Sequence, residues 1–302
     1  MKALVTGGAG FIGANICKYL IDNGFAVTCL DDFLKGREAN IKDLKLEFIK
    51  GSVADEKLIK SLKGKKFDCI FHEAAITDTT VEDKNLMLKV NVEGFNYILD
   101  LAKSDKTQVV YASSAAVYGD GSVPMKENQK LNPLNIYGVS KAKMDEIAAS
   151  FVKDTGIKTI GLRYFNVYGP REDFKGTATS MIRQLANQMM AGKRPRIFKY
   201  GEQERDFIYV RDVVLANINA FESQNSGVVN VGTGKKVSFN QVIAVLNQVL
   251  RTKLETDYFD NPYGFYQNCT QADTALSEKL IGFKARFSVE EGIKDYIREI
   301  KK

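Results

Sequence analysis

Histidine occurs once in the 302 residues, as His72, and the four cysteines, Cys17, Cys29, Cys69 and Cys269, form no CxxC pair. Divalent-metal centres gather His, Cys and carboxylates, so no histidine-clustered metal site is expected. Four unpaired thiols, two of them inside apolar runs, read as a reduced chain and not as a disulfide framework. No apolar stretch reaches the roughly 20 residues of a membrane span. The first residues already enter a strand pattern, so no signal peptide or anchor is expected, and the chain reads as cytoplasmic. The formal charge is +6, but its lysines are spread out, with only short runs such as KGKK (63–66) and KRPR (193–196). A nucleic-acid face concentrates its charge, so that partner is not expected, whereas a mild basic surplus suits an anionic small substrate. Internal repeats and low-complexity segments are absent as well.

What is present is an alternation of patterns. KALVT (2–6) is a buried strand, FIGANICKYLID (11–22) carries apolar residues at helical spacing, and FAVTCL (25–30) is a second strand. LEFIKG (46–51), FDCIFHEA (67–74) and TQVVYASS (107–114) continue the strands, with helical stretches near 55–62 and 83–103. A long helix over 133–156 and strand KTIGLRYF (158–165) close the series. Strands joined by helices require right-handed crossovers, so the expected class is α/β, a Rossmann-type doubly wound parallel sheet. After 165 come a loop (168–176), a helix to about 191, segments 206–221 and 227–234 that read as a return to the sheet, and shorter alternating elements over 235–302.

MKALVTGGAGFIG opens the chain, with Gly7, Gly10 and Gly13 between the first strand and the first helix, and the next strand ends in Asp31. That context turns a glycine-rich turn into a dinucleotide cradle. Gly7 allows the tight turn, Gly10 lets backbone amides approach a pyrophosphate, and Gly13 lets the helix pack on the sheet. Asp31 can take both ribose hydroxyls, which favours NAD. Lys35 and Arg37 follow closely and can either neutralise a 2′-phosphate or belong to a solvated loop, so NAD and NADP both stay open. Residues 1–167 and 206–234 are expected to form the dinucleotide-binding domain. Residues 168–205 and 235–302 are expected to form a smaller, discontinuous substrate-binding lobe over the C-terminal edge of the sheet.

Chemistry gathers further on. YASSAAVYG (111–119) ends a strand with Ser114, and YGVSK (137–141) sets Tyr137 and Lys141 at i and i+4, on one helix face. A phenol, with a pKa of about 10, is a poor base at neutral pH. An ammonium one turn away and a positive nicotinamide are expected to stabilise the phenolate, while Ser114 orients a substrate hydroxyl.

With FHEAA (71–75) as a fourth strand, these residues resemble the extended short-chain dehydrogenase/reductases that act on nucleotide sugars. In that resemblance His72 is a packed structural residue, and Asn91 is the helix asparagine near the cofactor. Sugar dehydratases of the superfamily carry an acidic pair after the strand-five serine or threonine. Ala115 and Ala116 stand in that slot here, which points to epimerisation. More narrowly, GLRYFNVYGPREDFKGTATSMIRQL (161–185), HEAAITDTT (72–80), LNIYGVSK (134–141), GEQERDFIYVRDV (201–213) and YQNCTQAD (266–273) look like the ADP-L-glycero-D-manno-heptose 6-epimerase family, along nearly the whole chain.

The resemblance implies an isomerase that inverts carbon-6 of an ADP-heptose for the lipopolysaccharide inner core. It also implies tightly held NADP and a homo-oligomer, typically a pentamer. The inverted carbon is not acidic, so the expected route is transient oxidation to an aldehyde, rotation and re-reduction with the bound cofactor. The oxygen then occupies two places, one near Tyr137 and one needing its own donor, for which Lys175 matches the family's second acid/base. The resemblance further implies cofactor contacts from Phe11, Ile12, Asp32, Glu73, Ala74, Ala75, Asn91 and Val167. Substrate contacts are implied from Asn166, Thr177, Gln184, Arg205 and Tyr266 as well as Ser114. Departures lie at EAAIT (73–77), in a loop at 198–207 about one residue short of the family pattern, and around 38–50. Another nucleotide-sugar epimerase, such as a UDP-hexose 4-epimerase, or a related reductase is the alternative.

Overall fold

The structure, a computed structural model, describes residues 1–77, 83–173, 179–261 and 268–301. In chain order its elements are β1 (Lys2–Thr6), α1 (Phe11–Asp22), β2 (Ala26–Asp31), β3 (Glu47–Lys50), α2 (Glu56–Ser61), β4 (Cys69–His72), α3 (Lys84–Leu88), α4 (Gly94–Asp105), β5 (Gln108–Ser114), α5 (Ile136–Thr155) and β6 (Thr159–Tyr164). There follow β7 (Asn166–Tyr168), α6 (Met181–Met190), β8 (Arg196–Phe198), β9 (Glu204–Arg205), β10 (Phe207–Tyr209), α7 (Val210–Glu222), β11 (Gly227–Val231), β12 (Val237–Ser238), α8 (Phe239–Leu250), β13 (Asp257–Phe259), α9 (Ala275–Ile281) and α10 (Val289–Ile300).

Seven strands form one parallel sheet in the order β11-β6-β5-β4-β1-β2-β3. The order reverses at β1, which pairs β2 on one side and β4 on the other, with Thr6 level with Leu30 and His72. Loops leaving β1 and β4 therefore diverge from one point at the carboxyl edge, the place where open α/β sheets bind ligands. Both faces are covered, which is why the strands read as continuous apolar runs. On one face Ile16, Cys17 and Leu20 of α1 pack with Val213 and Ile218 of α7 and with Ile281. On the other, Phe95, Ile98 and Leu101 of α4 pack with Met144 and Ala148 of α5. Helix α5 starts where the Asn135 side chain accepts the Gly138 N–H and stops at Gly156 in left-handed conformation.

Three details differ from the sequence expectations. Residues 207–209 do not rejoin the central sheet. The chain bends past Phe165, and β10 pairs in parallel with β7 in a separate two-stranded sheet, so within 206–234 only β11 returns. The helix of 83–103 contains a π turn at Lys89–Glu93 between α3 and α4. Residues 235–302 include two twelve-residue helices, α8 and α10, each opened by a capping box, Ser238 with Gln241 and Ser288 with Glu291. With α6 they enclose a third core of Ile182, Leu185, Phe239, Leu246, Ile293 and Ile297, against Tyr168 and Tyr209 of the small sheet. Among the described residues no helix is long and apolar enough to cross a membrane, and no His, Cys and carboxylate group could hold a metal ion.

Candidate active site

Gly7 follows β1 with φ of +66°, and a Cβ there would lie 2.6 Å from the Ala74 nitrogen. A side chain at Gly13 would collide with the Gly7 carbonyl. The turn is thus pressed onto the β4 loop, and α1 onto the turn, as close backbone approach requires. The Gly7 N–H donates to Leu30 O at 2.8 Å and the Gly10 N–H to Gly7 O at 3.0 Å. No side chain caps α1 at Gly10, so the positive end of the helix dipole faces outward. Close-packed glycines at an uncapped helix N-terminus fit a pyrophosphate.

From this turn a cavity of about 570 Å³ runs along the carboxyl edge of the sheet, within the size range of small-molecule sites. Its wall brings together Gly7, Gly10, Phe11, Ile12, Gly13, Asp31, Asp32 and Lys35 at one end and Glu73, Ala74, Ala75 and Val167 in the middle. Ser114, Tyr137 and Lys141 share it with Asn166, Gln184 and Arg205. Asn166 accepts from the Thr270 hydroxyl at 3.1 Å, Gln184 donates to Thr179 O at 2.7 Å, and Arg205 donates to Glu204 O at 2.9 Å.

Two expected residues are not in the wall. Arg37 turns its guanidinium back onto the Gly36 carbonyl at 2.7 Å. Asn91, in the π turn, is fully buried beneath the wall. It brackets the backbone of Ile76, accepting its N–H at 2.8 Å and donating to its O at 3.0 Å, and it also donates to Ser140. Lys175, Thr177 and Tyr266 lie outside the described residues. Among the described residues nearby, Glu172 accepts the Gly169 N–H at 3.1 Å, the Ser180 N–H at 2.7 Å and the Ser180 hydroxyl at 2.9 Å.

Burial dominates the electrostatics of the wall. It raises the Tyr137 phenol, the Glu73 charge adds to the rise, and Ser114, by hydrogen bonding, works against both. Lys141 stands one helical turn further along α5. Its ammonium donates to Ala112 O at 2.6 Å and lies 5.8 Å from the Tyr137 ring centre, while its own burial lowers it to about 8. Glu73 is pushed up to about 7 by burial, against the Tyr164 hydroxyl bond and Lys141, which lower it. His72 is held neutral, down to about 3, by burial first and then by Lys141. Its Nδ1 meets the Thr6 hydroxyl at 2.8 Å and its ring stacks on Phe95, the contacts of a structural residue.

Asp31 is engaged from within, accepting the Ala9 N–H at 3.0 Å and the Phe33 N–H at 2.8 Å. The sequence reading missed wall residues that carry no motif: Ser52 and Val53 after β3, Tyr164 at the end of β6, Ser180 and Met181 opening α6, and Phe207 and Phe239. The first three could have been found, because they follow or end parallel strands on the side where ligands bind.

A doubly wound sheet with a glycine cradle at its switch point, and a tyrosine and lysine one turn apart over the same cavity, define a Rossmann-type nucleotide-cofactor fold. Residues 3–232 match the model of the NAD dependent epimerase/dehydratase family, and the chain belongs to that family. It is 37% identical over 311 residues to an ADP-L-glycero-D-manno-heptose-6-epimerase of Brachyspira hyodysenteriae, covering 99% of this chain and 98% of that one. The crystal structure of the Helicobacter pylori ADP-L-glycero-D-manno-heptose-6-epimerase superposes with a TM-score of 0.93 at 37% identity, over 99% of this chain and 96% of that one. The Thermotoga maritima UDP-glucose 4-epimerase with UDP-glucose gives 0.93 at 29% identity over the whole of both chains.

Proposed function

We propose that the chain is a nucleotide-sugar epimerase that inverts carbon-6 of ADP-D-glycero-D-manno-heptose to give the L-glycero epimer, the heptose donor of lipopolysaccharide inner core. One observation carries this: Ser114, Tyr137 and Lys141 stand in the wall of the cavity that begins at the glycine cradle. The chain around them is 37% identical to a heptose 6-epimerase over 99% of its length. Ala115 and Ala116 after Ser114 leave no acid there to expel water, which sets dehydration aside.

Gly7, Gly10 and Gly13 hold the dinucleotide's pyrophosphate in this proposal, and Asp31 and Asp32 stand at its ribose end. When bound there, the dinucleotide would supply reversible hydride chemistry. Tyr137 exchanges a proton with the carbon-6 oxygen at its phenolic Oη, and the Ser114 hydroxyl orients that oxygen. Lys141, fixed on Ala112, places a positive charge beside the phenol. Lys175 exchanges the proton at the second oxygen position. Asn166, Thr177, Gln184, Arg205 and Tyr266 bind the nucleotide sugar, in a lobe made of 168–205 and 235–302 over the domain of 1–167 and 206–234. The cofactor is NADP, with Lys35 taking the 2′-phosphate. The assembly is a homo-oligomer, and the compartment is the cytoplasm. NAD is the second cofactor reading, favoured by Asp32 in the wall and by Arg37 turned away from it.

Incubation with ADP-D-glycero-D-manno-heptose and, separately, UDP-glucose, followed by proton NMR of the sugar, tests the substrate. Conversion of the heptose alone is expected. Turnover of UDP-glucose with an inert heptose replaces the proposal with a hexose 4-epimerase, a reading favoured by the Thermotoga likeness. Mass spectrometry of the dinucleotide that copurifies decides between NADP and NAD.

A further inference from the structure

Beyond Asp31 and Asp32 at its cradle end, the described cavity wall holds one more carboxyl, Glu73. It follows β4 directly, between the glycine turn and the strand that ends in Ser114. Its position is fixed: the Tyr164 hydroxyl donates to Glu73 Oε1 at 2.9 Å, and Asn217, itself tied to Val213 O, donates to Tyr164 Oη at 2.8 Å. The titratable groups around it are Tyr137 and Lys141 from α5, Tyr164 from β6 and the neutral His72 from β4. The cation among these is Lys141.

Two of the ways to place protons on Glu73 and Tyr137 leave the wall neutral while Lys141 is an ammonium. With Glu73 ionised and Lys141 an ammonium, Tyr137 is a phenol. With Glu73 neutral, Tyr137 can be a phenolate beside the same ammonium. A third state, with both acids ionised, leaves a net negative charge in a poorly solvated wall, which is unfavourable. Ionising Tyr137 is therefore easier with Glu73 neutral than with Glu73 ionised.

We propose that Glu73 is a positioning residue whose charge selects the protonation state of Tyr137, so that one wall offers a proton acceptor for the outward hydride step and a proton donor for the return. The proposal rests on the role given to Tyr137 above. A proton arriving on Tyr137 from the sugar hydroxyl is matched by one that leaves Glu73 for water, and the return step reverses both. Burial holds Glu73 at about 7, so its two states coexist near neutral pH.

The test reads Tyr137 itself. Protein carrying ¹³Cζ-tyrosine and saturated with NADP⁺ is titrated by NMR, with Tyr137→Phe identifying the signal. In Glu73→Gln the phenolate midpoint should fall by about one pH unit or more, a tenfold gain in phenolate at fixed pH, as expected on removing a like charge. The fall should be smaller in Glu73→Asp. The bell of kcat/KM against pH should lose its limb near pH 7 in Glu73→Gln. An unchanged or raised midpoint in folded, dinucleotide-binding Glu73→Gln overturns the proposal. Should that variant not fold, the wild-type infrared difference between about pH 8 and pH 6 decides. It must gain a protonated-carboxyl band, and a spectrum without one also overturns the proposal. Neither spectroscopic readout requires turnover of any sugar, so a wrong substrate leaves this test standing.

Discussion

Lys141 lies between two acidic neighbours held in different ways. Behind it, one further turn along α5, Asp145 pairs with Arg163 at 3.0 Å, accepts from the Tyr111 hydroxyl at 3.0 Å, and is about 6% exposed. Arg163 in turn donates to Tyr118 Oη at 2.9 Å, and Tyr118 donates to Asn230 Oδ1 at 2.6 Å, so this region is a closed polar network under the sheet. In front, Glu73 has a neutral phenol as its hydrogen-bond partner and borders the cavity. Burial raises the Asp145 carboxyl too, but a carboxylate matched by a guanidinium has that rise opposed and braces the fold. One matched by a phenol can change its charge and is free to take part in proton chemistry. Tyr137, Lys141 and Asp145 recur every four residues on α5, so one helical stripe links the two regions.

The largest effect should come from the cavity end of that stripe. Tyr137→Phe removes the proton exchanger and keeps the ring, so turnover should fall by about 10²–10⁴-fold, the span of general acid–base catalysis. The dinucleotide should still copurify, because the glycine cradle is untouched. Steady-state rates together with the mass of the bound cofactor check both halves. Retention of more than a tenth of the activity would mean that the front region does not carry the chemistry.

At the closed end the effect should fall on stability. Asp145→Asn leaves the Arg163 guanidinium buried without its counter-charge, which costs about 3 kcal/mol or more when one member of a buried pair is lost. Thermal unfolding should shift down by several degrees. The Tyr137 titration should move far less than in Glu73→Gln. Equal movement in both variants would erase the distinction between the two regions.

How these regions look in sequence follows from their geometry. The stripe was legible because helical spacing alone sets Tyr137 and Lys141 on one face, and the cradle because glycines between a strand and a helix have few other uses. The sheet was legible because buried parallel strands are uninterrupted apolar runs. Residues 207–209 resembled a sheet strand for the same reason, being fully buried, yet they pair only with β7. Local pattern reports burial and says nothing about the partner. Asn91 is named by resemblance for its proximity to the cofactor, and its side chain holds the backbone of Ile76, a residue of the cavity wall. The Glu73–Tyr164 contact spans 91 residues, so no periodicity could reveal it.

Glu73→Gln should also separate the regions by the sign of its effect on stability. A carboxyl raised from its ordinary 4.5 to about 7 binds more protons folded than unfolded between those values. Its contribution is therefore fully present below 4.5 and is lost as pH rises through 7. Glutamine mimics the protonated form, so at pH 8 the variant should be more stable than wild type by about 1–2 kcal/mol. At pH 4.5 the two should coincide. Denaturant unfolding at both pH values checks this, and a loss of stability at pH 8, as in Asp145→Asn, would place Glu73 among the braces.

The smallest effect should appear at the solvated rim, where neither kind of burial operates. Lys35 is exposed in the cavity wall beside Asp31 and Asp32. If it takes the 2′-phosphate, Lys35→Ala should weaken NADP⁺ about fivefold and leave NAD⁺ within about twofold, since one exposed charge–phosphate contact contributes about 1 kcal/mol. Screening adds a second criterion. At about 0.5 M salt the Debye length falls to roughly 4 Å, so the difference between the cofactors should shrink, whereas the Glu73 effect on Tyr137, inside the wall, should persist. Calorimetric titration of both dinucleotides at low and high salt measures this directly. Equal weakening of NADP⁺ and NAD⁺ would show that Lys35 does not touch the phosphate, and would leave the carboxylates of Asp31 and Asp32 to select NAD.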